Sequence, residues 1–259
     1  MKTTALVTGA SSGIGKEFAH IHAERGGDLI IVARREEKLQ AIKSSLEAQH
    51  KIAVHVIAKD LTQPNACKGI FDEVTQKGLQ VDYLINNAGF GGRGKFHERD
   101  WDKDHAMIQL NIVALTELTR LFLPSMVTRN AGKILNVSST ASLLPGPLQA
   151  VYFATKAYVT SFSNAISEEL SDTKITVTAL LPGATETEFA QTSDMDKTNL
   201  FKKAVTARSV AEDGYNAMLT GKLNIISGLQ PMQRFMMASI PFTPKKLLLK
   251  QIRQMQEVS

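Results

Sequence analysis

The sequence predicts an α/β fold in which one domain holds a parallel sheet of about seven strands, covered by helices on both faces. Three observations lead to this prediction. Short β-prone apolar runs alternate along the chain with segments whose apolar residues recur at helical spacing. The clearest of these runs is continuously apolar, as expected of a strand that is buried on both faces. A glycine-rich turn follows the first run directly.

The first strand and helix frame that glycine turn. Thr4–Val7 leads into Thr8-Gly9-Ala10-Ser11-Ser12-Gly13-Ile14-Gly15, and apolar residues then follow at helical spacing. Strand, glycine turn and helix in this order are the context of a dinucleotide-binding site. There, Gly9 permits a tight turn, Gly13 lets the backbone approach a pyrophosphate, and Gly15 allows close packing of helix and strand. The helix N-terminus would offer its amides to the phosphates. The alternative is an ordinary glycine-rich loop.

The end of the second strand bears on the choice of cofactor. The apolar run Leu29–Val32 ends at Ala33-Arg34-Arg35, with no acidic residue at the strand end. A carboxylate there would bind the adenosine ribose and repel a 2′-phosphate, whereas an arginine would bind that phosphate. We therefore predict NADP(H) rather than NAD(H), with Arg34 as the main phosphate contact. The alternative is that both arginines are solvated at the start of a helix.

The remaining elements continue the alternation. We predict a long helix over residues 101–123, which carries Asn111 on its apolar stripe, and a helix from Tyr152 to about Leu170. A Ser209–Glu212 capping box predicts one more helix start. The polar stretch Phe189–Thr206 has no clear period and is predicted to be a mobile lid over the substrate. Further helices are marked by Leu39, Ile42 and Leu46 and by Pro64, Ile70 and Val74, and the other strands are predicted at Ile52–Ile57, Val81–Ile85, Ile134–Val137, Ile175–Leu181 and Leu223–Ile226.

Tyr152 and Lys156 form the candidate catalytic pair. At i and i+4 on a helix, their side chains share one face. A phenol has a pKa near ~10, too high for easy proton exchange at neutral pH, and a nearby ammonium favours the phenolate. Ser139 lies thirteen residues before Tyr152, at the carboxyl end of the fifth strand, and its hydroxyl could hold a substrate carbonyl. Alone, such a pair occurs by chance on many helices.

Composition restricts the classes of protein that fit. The 259 residues are 43% hydrophobic and 21% charged, as in an ordinary globular protein, and no continuous apolar run is long enough for a bilayer. The single cysteine, Cys67, excludes an intrachain disulfide and predicts a reducing, cytoplasmic location. From Lys222 onward there are six basic residues against one acidic residue, so the net charge of +5 belongs to the tail. The main body is balanced, which argues against nucleic acid as a partner.

Taken together, these motifs resemble the short-chain dehydrogenase/reductase family, in the branch of about 250 residues with TGxxxGxG and YxxxK motifs. The resemblance covers roughly Thr4 to Leu229. It implies a Rossmann-like, doubly wound sheet, NADP(H) as cofactor and a homodimer or homotetramer built on the long helices. Asn86-Asn87-Ala88-Gly89 matches the family motif that steadies the central sheet. The histidines are scattered, and we predict no metal site.

The resemblance also implies roles for individual residues. Tyr152 would exchange a proton with the substrate oxygen. Lys156 would lower the pKa of Tyr152 and bind the nicotinamide ribose, and Ser139 would polarise the carbonyl. Asn111 would hold a water that connects Lys156 to solvent. The residues implied to bind the cofactor are Gly9, Ser11, Ser12, Gly13, Ile14, Gly15, Arg34, Asp60, Leu61, Asn87, Ala88, Gly89, Tyr152, Lys156, Pro182, Gly183, Thr185 and Thr187.

The tail lies outside these motifs. We predict that residues 1–229 form the catalytic domain and that residues 230–259 pack on it without forming a domain of their own. An apolar patch between Met232 and Phe242 precedes Lys245–Arg253, which is predicted to be a short basic amphipathic helix. A methionine-rich wall beside the substrate site would suit a bulky apolar substrate. A subunit contact, or attachment of the basic helix to a membrane surface, are the alternatives.

The sequence thus predicts an oxidoreductase that transfers a hydride between NADP(H) and a carbonyl or alcohol on an apolar ketone, aldehyde, steroid-like or lipid-like substrate. Two alternatives stay open. One is reduction of a 3-oxoacyl thioester. The other is an NADP(H)-binding regulator without catalysis, because a fold alone does not establish an activity. Retention of Asn111, Ser139, Tyr152 and Lys156 favours an enzyme.

Overall fold

A seven-stranded parallel sheet forms the centre of the molecule, with strand order β3-β2-β1-β4-β5-β6-β9. The computed structural model describes residues 2–193, 195, 204–229 and 243–257. The predicted α/β fold is confirmed, and each predicted strand is present with its ends shifted by at most two residues. The sheet strands are β1 Thr4–Thr8, β2 Asp28–Ala33, β3 Val54–Ala58, β4 Tyr83–Asn86, β5 Gly132–Val137, β6 Ile175–Pro182 and β9 Asn224–Ser227, and a separate parallel pair is formed by β7 Thr185–Glu186 and β8 Val205–Thr206.

Helices cover both faces of this sheet. One apolar cluster joins the sheet to α1, α2 and α8 through side chains such as Phe18, Leu39 and Tyr215. A second cluster joins the opposite face to α3 and α5 through Ile70 and Phe122. Both faces of the strands are therefore buried, which explains their continuously apolar sequences. The helices are α1 Gly13–Glu24, α2 Glu36–His50, α3 Ala66–Gln76, α4 Trp101–Ile108, α5 Leu115–Arg129, α6 Ala150–Glu169, α7 Phe189–Thr192, α8 Ala207–Leu219 and α9 Lys245–Gln256.

The long helix differs from its prediction in two ways. Between α4 and α5 the residues Gln109–Ala114 form a π-helical stretch, which contains Asn111. The helix also continues through Pro124 to Arg129 instead of ending at Leu123. Pro124 removes only the amide that would have bonded the carbonyl four residues earlier, and the residue there, Arg120, is exposed to solvent.

By length and composition, the helix spanning Trp101–Arg129 could cross a membrane. Its apolar composition has a local explanation, because Met107, Ala114, Leu118 and Phe122 form its buried stripe. Of these, all but Met107 belong to the cluster against the sheet, and Met107 packs beside Tyr152.

The predicted capping box at Ser209 is wrong. Helix α8 begins at Ala207, and its N-cap is Thr206, whose hydroxyl accepts a hydrogen bond from the Ser209 amide at 3.3 Å. Strand β8 runs directly into the helix, so the chain turns three residues earlier than predicted. In the predicted lid, α7 and β8 are regular, while residues 194 and 196–203 lie outside the described residues, as does the apolar patch between Met232 and Phe242.

A polar network ties the middle of the sheet together. The buried Thr8 hydroxyl accepts hydrogen bonds from the backbone amides of Asn87 and Ala88, both at 3.0 Å. The Asn87 side chain donates in turn to the Thr8 carbonyl at 2.9 Å. Because Thr8 ends β1 and Asn87 follows β4, these bonds join the two strands at the point where the strand order reverses. Ligands of doubly wound sheets bind at this place.

One further chain of bonds runs across the neighbouring strands. Asn86 donates to Asn136 Oδ1 at 2.9 Å, and Asn136 donates to Ser163 Oγ on α6 at the same distance. All three side chains are buried. Helix α6 is thereby held to β5 and β4 in one register, which matters because α6 carries Tyr152 and Lys156.

We expect Thr8→Val to lower the free energy of unfolding by about 3 kcal/mol. The substitution keeps the shape but leaves two partly buried amide donors unsatisfied, at about 1–3 kcal/mol each. Urea denaturation measures the change. The control is Thr176→Val in β6, where the hydroxyl meets only Lys133 Nζ, at 3.5 Å, within the described part of the chain. Equal effects of the two substitutions would contradict the role given to Thr8.

Candidate active site

A cavity of about 820 Å³ opens at the carboxyl ends of the strands. Its wall is built from the segments that follow β1, β2, β3, β4, β5 and β6, together with α6, α7 and the end of α9. Small-molecule sites commonly enclose roughly 300–1,000 Å³, so this cavity is at the large end of that range.

The glycine turn forms one end of the cavity. Gly9 and Gly13 have φ values of 67° and 54°, in the left-handed region that favours glycine. A Cβ on Gly13 would lie 2.9 Å from Thr187 Cγ2 across the cavity. The N-cap of α1, Ser12, makes no side-chain capping bond, and the first turn of α1 has no acidic residue. The amides at this helix N-terminus are thus available to an anion, as a pyrophosphate requires.

The two arginines after β2 differ in their surroundings. Arg35 donates to the hydroxyls of Ser11 and Ser12 at 3.1 and 3.0 Å and pairs with Glu188 at 2.8 Å. Arg34 lines the cavity and has no hydrogen bond or ion pair with any other described residue. Of the two guanidinium groups, that of Arg34 is the one free to bind an anion.

Glu188 holds this corner of the cavity together. Its carboxylate also pairs with Lys38 at 2.9 Å, and the hydrogen bonds from Arg35 and Lys38 lower its pKa to about 2. Glu188 immediately precedes α7, so the ion pairs connect the segment after β2 with the segment after β6. Sequence reasoning missed this residue, because its partners are about 150 positions away along the chain.

The candidate catalytic side chains meet at the other end of the cavity. Tyr152 and Lys156 lie one turn apart on α6, and Lys156 Nζ is 6.0 Å from the centre of the Tyr152 ring. Ser139, which follows β5, is hydrogen-bonded to Tyr152. The Ser139 Oγ also accepts from the Ala141 amide at 3.1 Å, and the Lys156 ammonium donates to the Val137 carbonyl at 2.8 Å. The three residues predicted to act together therefore do lie together.

Burial dominates the proton affinities of this group. It raises the pKa of Tyr152 to about 12, against a smaller lowering by the Ser139 hydrogen bond. It also lowers the pKa of Lys156 to about 8. The expectation that Lys156 lowers the pKa of Tyr152 is thus not met in this structure. The reason is physical: a buried phenolate loses its hydration, and the ammonium is directed at the Val137 carbonyl.

Asn111 lies behind the cavity wall rather than in it. Its amide nitrogen donates to the Phe90 carbonyl at 2.9 Å and to Thr155 Oγ1 at 3.0 Å, and its Oδ1 accepts from the Phe90 amide at 3.2 Å. These bonds join the π-helical stretch to the loop after β4 and to α6. The Asn111 side chain thus positions Phe90, which packs on the apolar cluster that includes Tyr152, and Thr155, which donates to the Tyr152 carbonyl.

Most of the predicted cofactor-binding residues line the cavity. The exception is Gly15, which packs against Gly9 and Asn87, where any Cβ would collide. Asp60 lines the cavity while its Oδ1 accepts bonds from Thr62. The lining residues that sequence reasoning missed include Phe90, Leu144, Gln149, Phe153, Glu188, Phe189, Thr192, Met195, Ile252, Met255 and Gln256. Apart from Glu188, these residues form the part of the cavity wall near Tyr152 and its continuation away from the glycine turn.

That second set makes the wall beside Tyr152 largely apolar. The rings of Phe189 and Phe153 are 5.4 and 6.1 Å from the Tyr152 ring, centre to centre. Met195 and Ile252 add aliphatic surface, and Gln149 and Gln256 are the buried polar exceptions. Such a wall accommodates an apolar molecule whose polar reacting group faces Ser139 and Tyr152.

Comparison with known proteins adds an independent finding. The family model described as short chain dehydrogenase matches residues 3–198. The human very-long-chain 3-oxoacyl-CoA reductase is 34% identical over 193 residues, which are 72% of this chain. The chain spans only 61% of the length of that relative. The uncharacterized oxidoreductase YvaG of Bacillus subtilis is 36% identical over 190 residues, covering 73% of this chain and 70% of YvaG.

Solved structures are similar over nearly the whole chain. A short-chain dehydrogenase from Sphingobium yanoikuyae in complex with NADPH is 31% identical, with a TM-score of 0.82 and 98% of each chain covered. The bulky-bulky ketone specific alcohol dehydrogenase from Comamonas testosteroni is 29% identical, with a TM-score of 0.79 and coverage of 97% of this chain and 95% of that one.

We expect the stability contribution of Lys156 to depend on pH. Burial lowers its pKa from 10.5 to about 8, so between these values the unfolded chain holds a proton at this lysine that the folded chain does not. In that interval the free energy of unfolding rises with pH. Urea denaturation at about pH 7 and about pH 9.5 should therefore show wild type gaining stability relative to Lys156→Met.

The higher pH in that measurement lies below both the ordinary pKa of tyrosine, 10.0, and the raised pKa of Tyr152 in the folded protein, about 12. Lys103→Met removes an exposed positive charge and is the control. If the difference between wild type and Lys156→Met is the same at both pH values, the Lys156 ammonium is not destabilised by burial.

Proposed function

The chain belongs to the short-chain dehydrogenase/reductase family, and from this premise we propose that it is an NADP(H)-dependent oxidoreductase that interconverts a carbonyl group and an alcohol on a bulky apolar substrate. One observation carries the proposal. One cavity joins an uncapped helix N-terminus and Arg34, which has no partner among the described residues, to Ser139, Tyr152 and Lys156 at its other end. That spacing of an anion site and a proton donor suits a cofactor that bridges the two.

The residues present fit NADP(H). Arg34 and the amides at the start of α1 would hold its phosphates, Asp60 and Leu61 would contact the adenine, and Lys156 would bind the nicotinamide ribose. The first turn of α1 has no acidic residue and its N-cap makes no side-chain bond, so the amides there suit the negatively charged pyrophosphate. When bound, the cofactor supplies the hydride for the carbonyl carbon.

Tyr152 would act as the proton donor during reduction. With a pKa of about 12 it stays protonated at neutral pH, which is the form that reduction requires. The phenolate left after transfer would be stabilised by the Ser139 hydrogen bond, and the Lys156 ammonium would supply the proton that replaces the one transferred. Since the pKa of Lys156 is about 8, that ammonium is mostly charged at pH 7. Reprotonation through Lys156 and a water near Asn111 would complete the cycle.

Ser139 would orient and polarise the substrate carbonyl. Its oxygen already accepts from the Ala141 amide, so its proton is available to the Tyr152 oxygen or to a substrate oxygen. A hydrogen bond directed at the position where negative charge develops is stronger in this buried site than in water. Asn111 would contribute by holding Phe90 and α6 in place.

A second candidate is the reduction of a 3-oxoacyl thioester. It is supported by the 33–36% identity to very-long-chain 3-oxoacyl-CoA reductases of several vertebrates. A long acyl chain would suit the apolar wall beside Tyr152. The regulator alternative is less well supported, because binding without catalysis gives no reason to bury a lysine ammonium beside a tyrosine and a serine.

We also propose a homodimer or homotetramer built on α5 and α6. Val113 and Tyr158 are exposed on this side of the molecule, and Tyr158 stacks on Phe162 at 5.7 Å. A cytoplasmic location is part of the proposal, since a chain with one cysteine can form no intrachain disulfide and such chains are typical of reducing compartments.

We expect Tyr152→Phe to lower kcat for carbonyl reduction by about 10²–10⁴-fold, the usual contribution of general acid catalysis. NADPH affinity, measured by fluorescence titration, should change less than about threefold, because the ring and its contacts with Phe189 and Phe153 remain. The assay is NADPH consumption over a panel of aldehydes, diketones, steroid ketones and 3-oxoacyl thioesters. Retained turnover would exclude Tyr152 as the proton donor.

We expect Arg34→Ala to weaken NADPH binding by about ten- to a hundredfold while NADH binding changes little, because a charge-assisted hydrogen bond contributes about 1.5–3 kcal/mol. Fluorescence titration with both cofactors measures this ratio. Arg34→Lys retains the charge and should lose less. An equal effect on the two cofactors would mean that Arg34 does not contact the 2′-phosphate.

A further inference from the structure

Helix α9 closes the cavity on the side away from the cofactor residues. Its buried side chains are Ile252 and Gln256, four residues apart on one face, with Leu248 half-buried on the same face. Ile252, Met255 and Gln256 all line the cavity. Ile252 is only 2% exposed, yet it belongs to neither of the two apolar clusters that cover the sheet. Ile252 therefore lines the cavity without being part of the two clusters that pack on the sheet.

Two hydrogen bonds set the position of this helix. The Gln149 side chain donates to Gln256 Oε1 at 3.1 Å, and Arg93 donates to the Gln256 backbone carbonyl at 3.3 Å. Gln149 is the N-cap of α6 and lies three residues before Tyr152, while Arg93 belongs to the loop after β4. The end of α9 is thus attached to both sides of the active site.

The hydrogen bond between Gln149 and Gln256 fixes the position of the end of α9. Gln149 and Gln256 are both buried, and Gln149 also donates to Met195 Sδ at 3.3 Å in an otherwise apolar wall. Burying two amides is unfavourable unless they bond to each other in one geometry. That bond links the turn of α9 that follows Ile252 to the N-cap of the helix that carries Tyr152.

We propose that Ile252 determines the size of the carbonyl compound that the site accepts, with the Gln149–Gln256 bond as the contact that positions it. The inference rests on the proposed function and adds a specificity-determining residue to it. A substrate whose carbonyl meets Ser139 and Tyr152 directs its remaining bulk along the wall formed by Phe153, Met195 and Ile252. Removing or adding side-chain volume at Ile252 then changes the longest molecule that fits.

The test uses three ketones of increasing size: cyclohexanone, 2-decalone and a steroid 3-ketone. For the full-length wild type and each variant, kcat and KM are measured with NADPH, and the Kd of each ketone is measured by calorimetry in the presence of NADP⁺. Ile252→Ala enlarges the wall and Ile252→Phe fills it. Leu247→Ala is the matched control, because Leu247 is on the same helix but 50% exposed.

Ile252→Ala should raise the preference for the steroid ketone over cyclohexanone by about tenfold or more, and Ile252→Phe should lower it by a similar factor. The change should lie in KM and Kd rather than in kcat, and NADPH affinity should stay within about twofold. Leu247→Ala should leave the preference unchanged. If Ile252→Ala does not fold, Ile252→Val should shift the preference in the same direction by a smaller factor.

Gln256→Ala tests the positioning contact separately. It should raise KM for all three ketones and reduce the differences in KM among them, because the position of Ile252 is then less well defined. Shifts of the same sign in Ile252→Ala and Ile252→Phe, or no shift in either, would overturn the inference. A wild type that binds the ketones with NADP⁺ but turns none over would overturn the proposed function alone. Absence of binding by all three ketones would overturn both.

Discussion

The hydroxyl of Thr8 is the contact on which the geometry of the site depends. It accepts the amides of Asn87 and Ala88, and so fixes the ends of β1 and β4 where the order of the strands reverses. The segments that follow these two strands leave the sheet in different directions, and the cavity opens between them. The Asn86–Asn136–Ser163 bonds extend the same register to α6. A few buried polar side chains thereby fix the strand ends and the helix α6 that border the cavity.

Burial gives the reacting group its chemical character. The phenol of Tyr152 is made more difficult to ionise and the ammonium of Lys156 easier to neutralise, so both are brought closer to a neutral state. The Tyr152 phenol therefore keeps its proton until negative charge develops on a substrate oxygen beside it. The Ser139 hydrogen bond then stabilises the negative charge left on the Tyr152 oxygen. The energetic cost of the arrangement is a lysine kept out of water with a single backbone carbonyl as its partner in the described structure.

The fold and the location of the site could be predicted from the sequence because both follow from local patterns. Continuous apolar runs predicted the strands, and the glycine turn, the Arg34 position and the Tyr152–Lys156 spacing predicted the two ends of the cavity. The π-helical turn at Asn111, the extension of the helix through Pro124 and the start of α8 at Thr206 could not be predicted in this way. The π-helical turn depends on the bonds from Asn111 to Phe90 and Thr155. Helix α8 begins early because β8, which pairs with β7, runs directly into it, and Pro124 is tolerated because Arg120, four residues before it, is exposed to solvent.

The same limit applies to the substrate wall and to the charges around it. Ile252 and Gln256 are about a hundred residues from Gln149 along the chain. The amphipathic pattern of α9 shows that one face is apolar but not that this face meets the cavity. Nor could the sequence predict that the pKa of Tyr152 is raised rather than lowered. A spacing shows that an ammonium is near, whereas the extent of burial, which decides the shift, is a property of the assembled fold.

The Glu188 ion pairs have a consequence for protein engineering. Glu188 binds Arg35 and Lys38 on the cofactor side, and the next residue, Phe189, contacts Tyr152 on the substrate side. One short backbone segment thus serves both ends of the cavity. Replacing Arg35 to change the cofactor would also release the wall beside the reacting carbonyl, so selectivity for the two ligands would change together. Arg34, which lacks such a partner among the described residues, offers a position where the cofactor preference can be altered by itself.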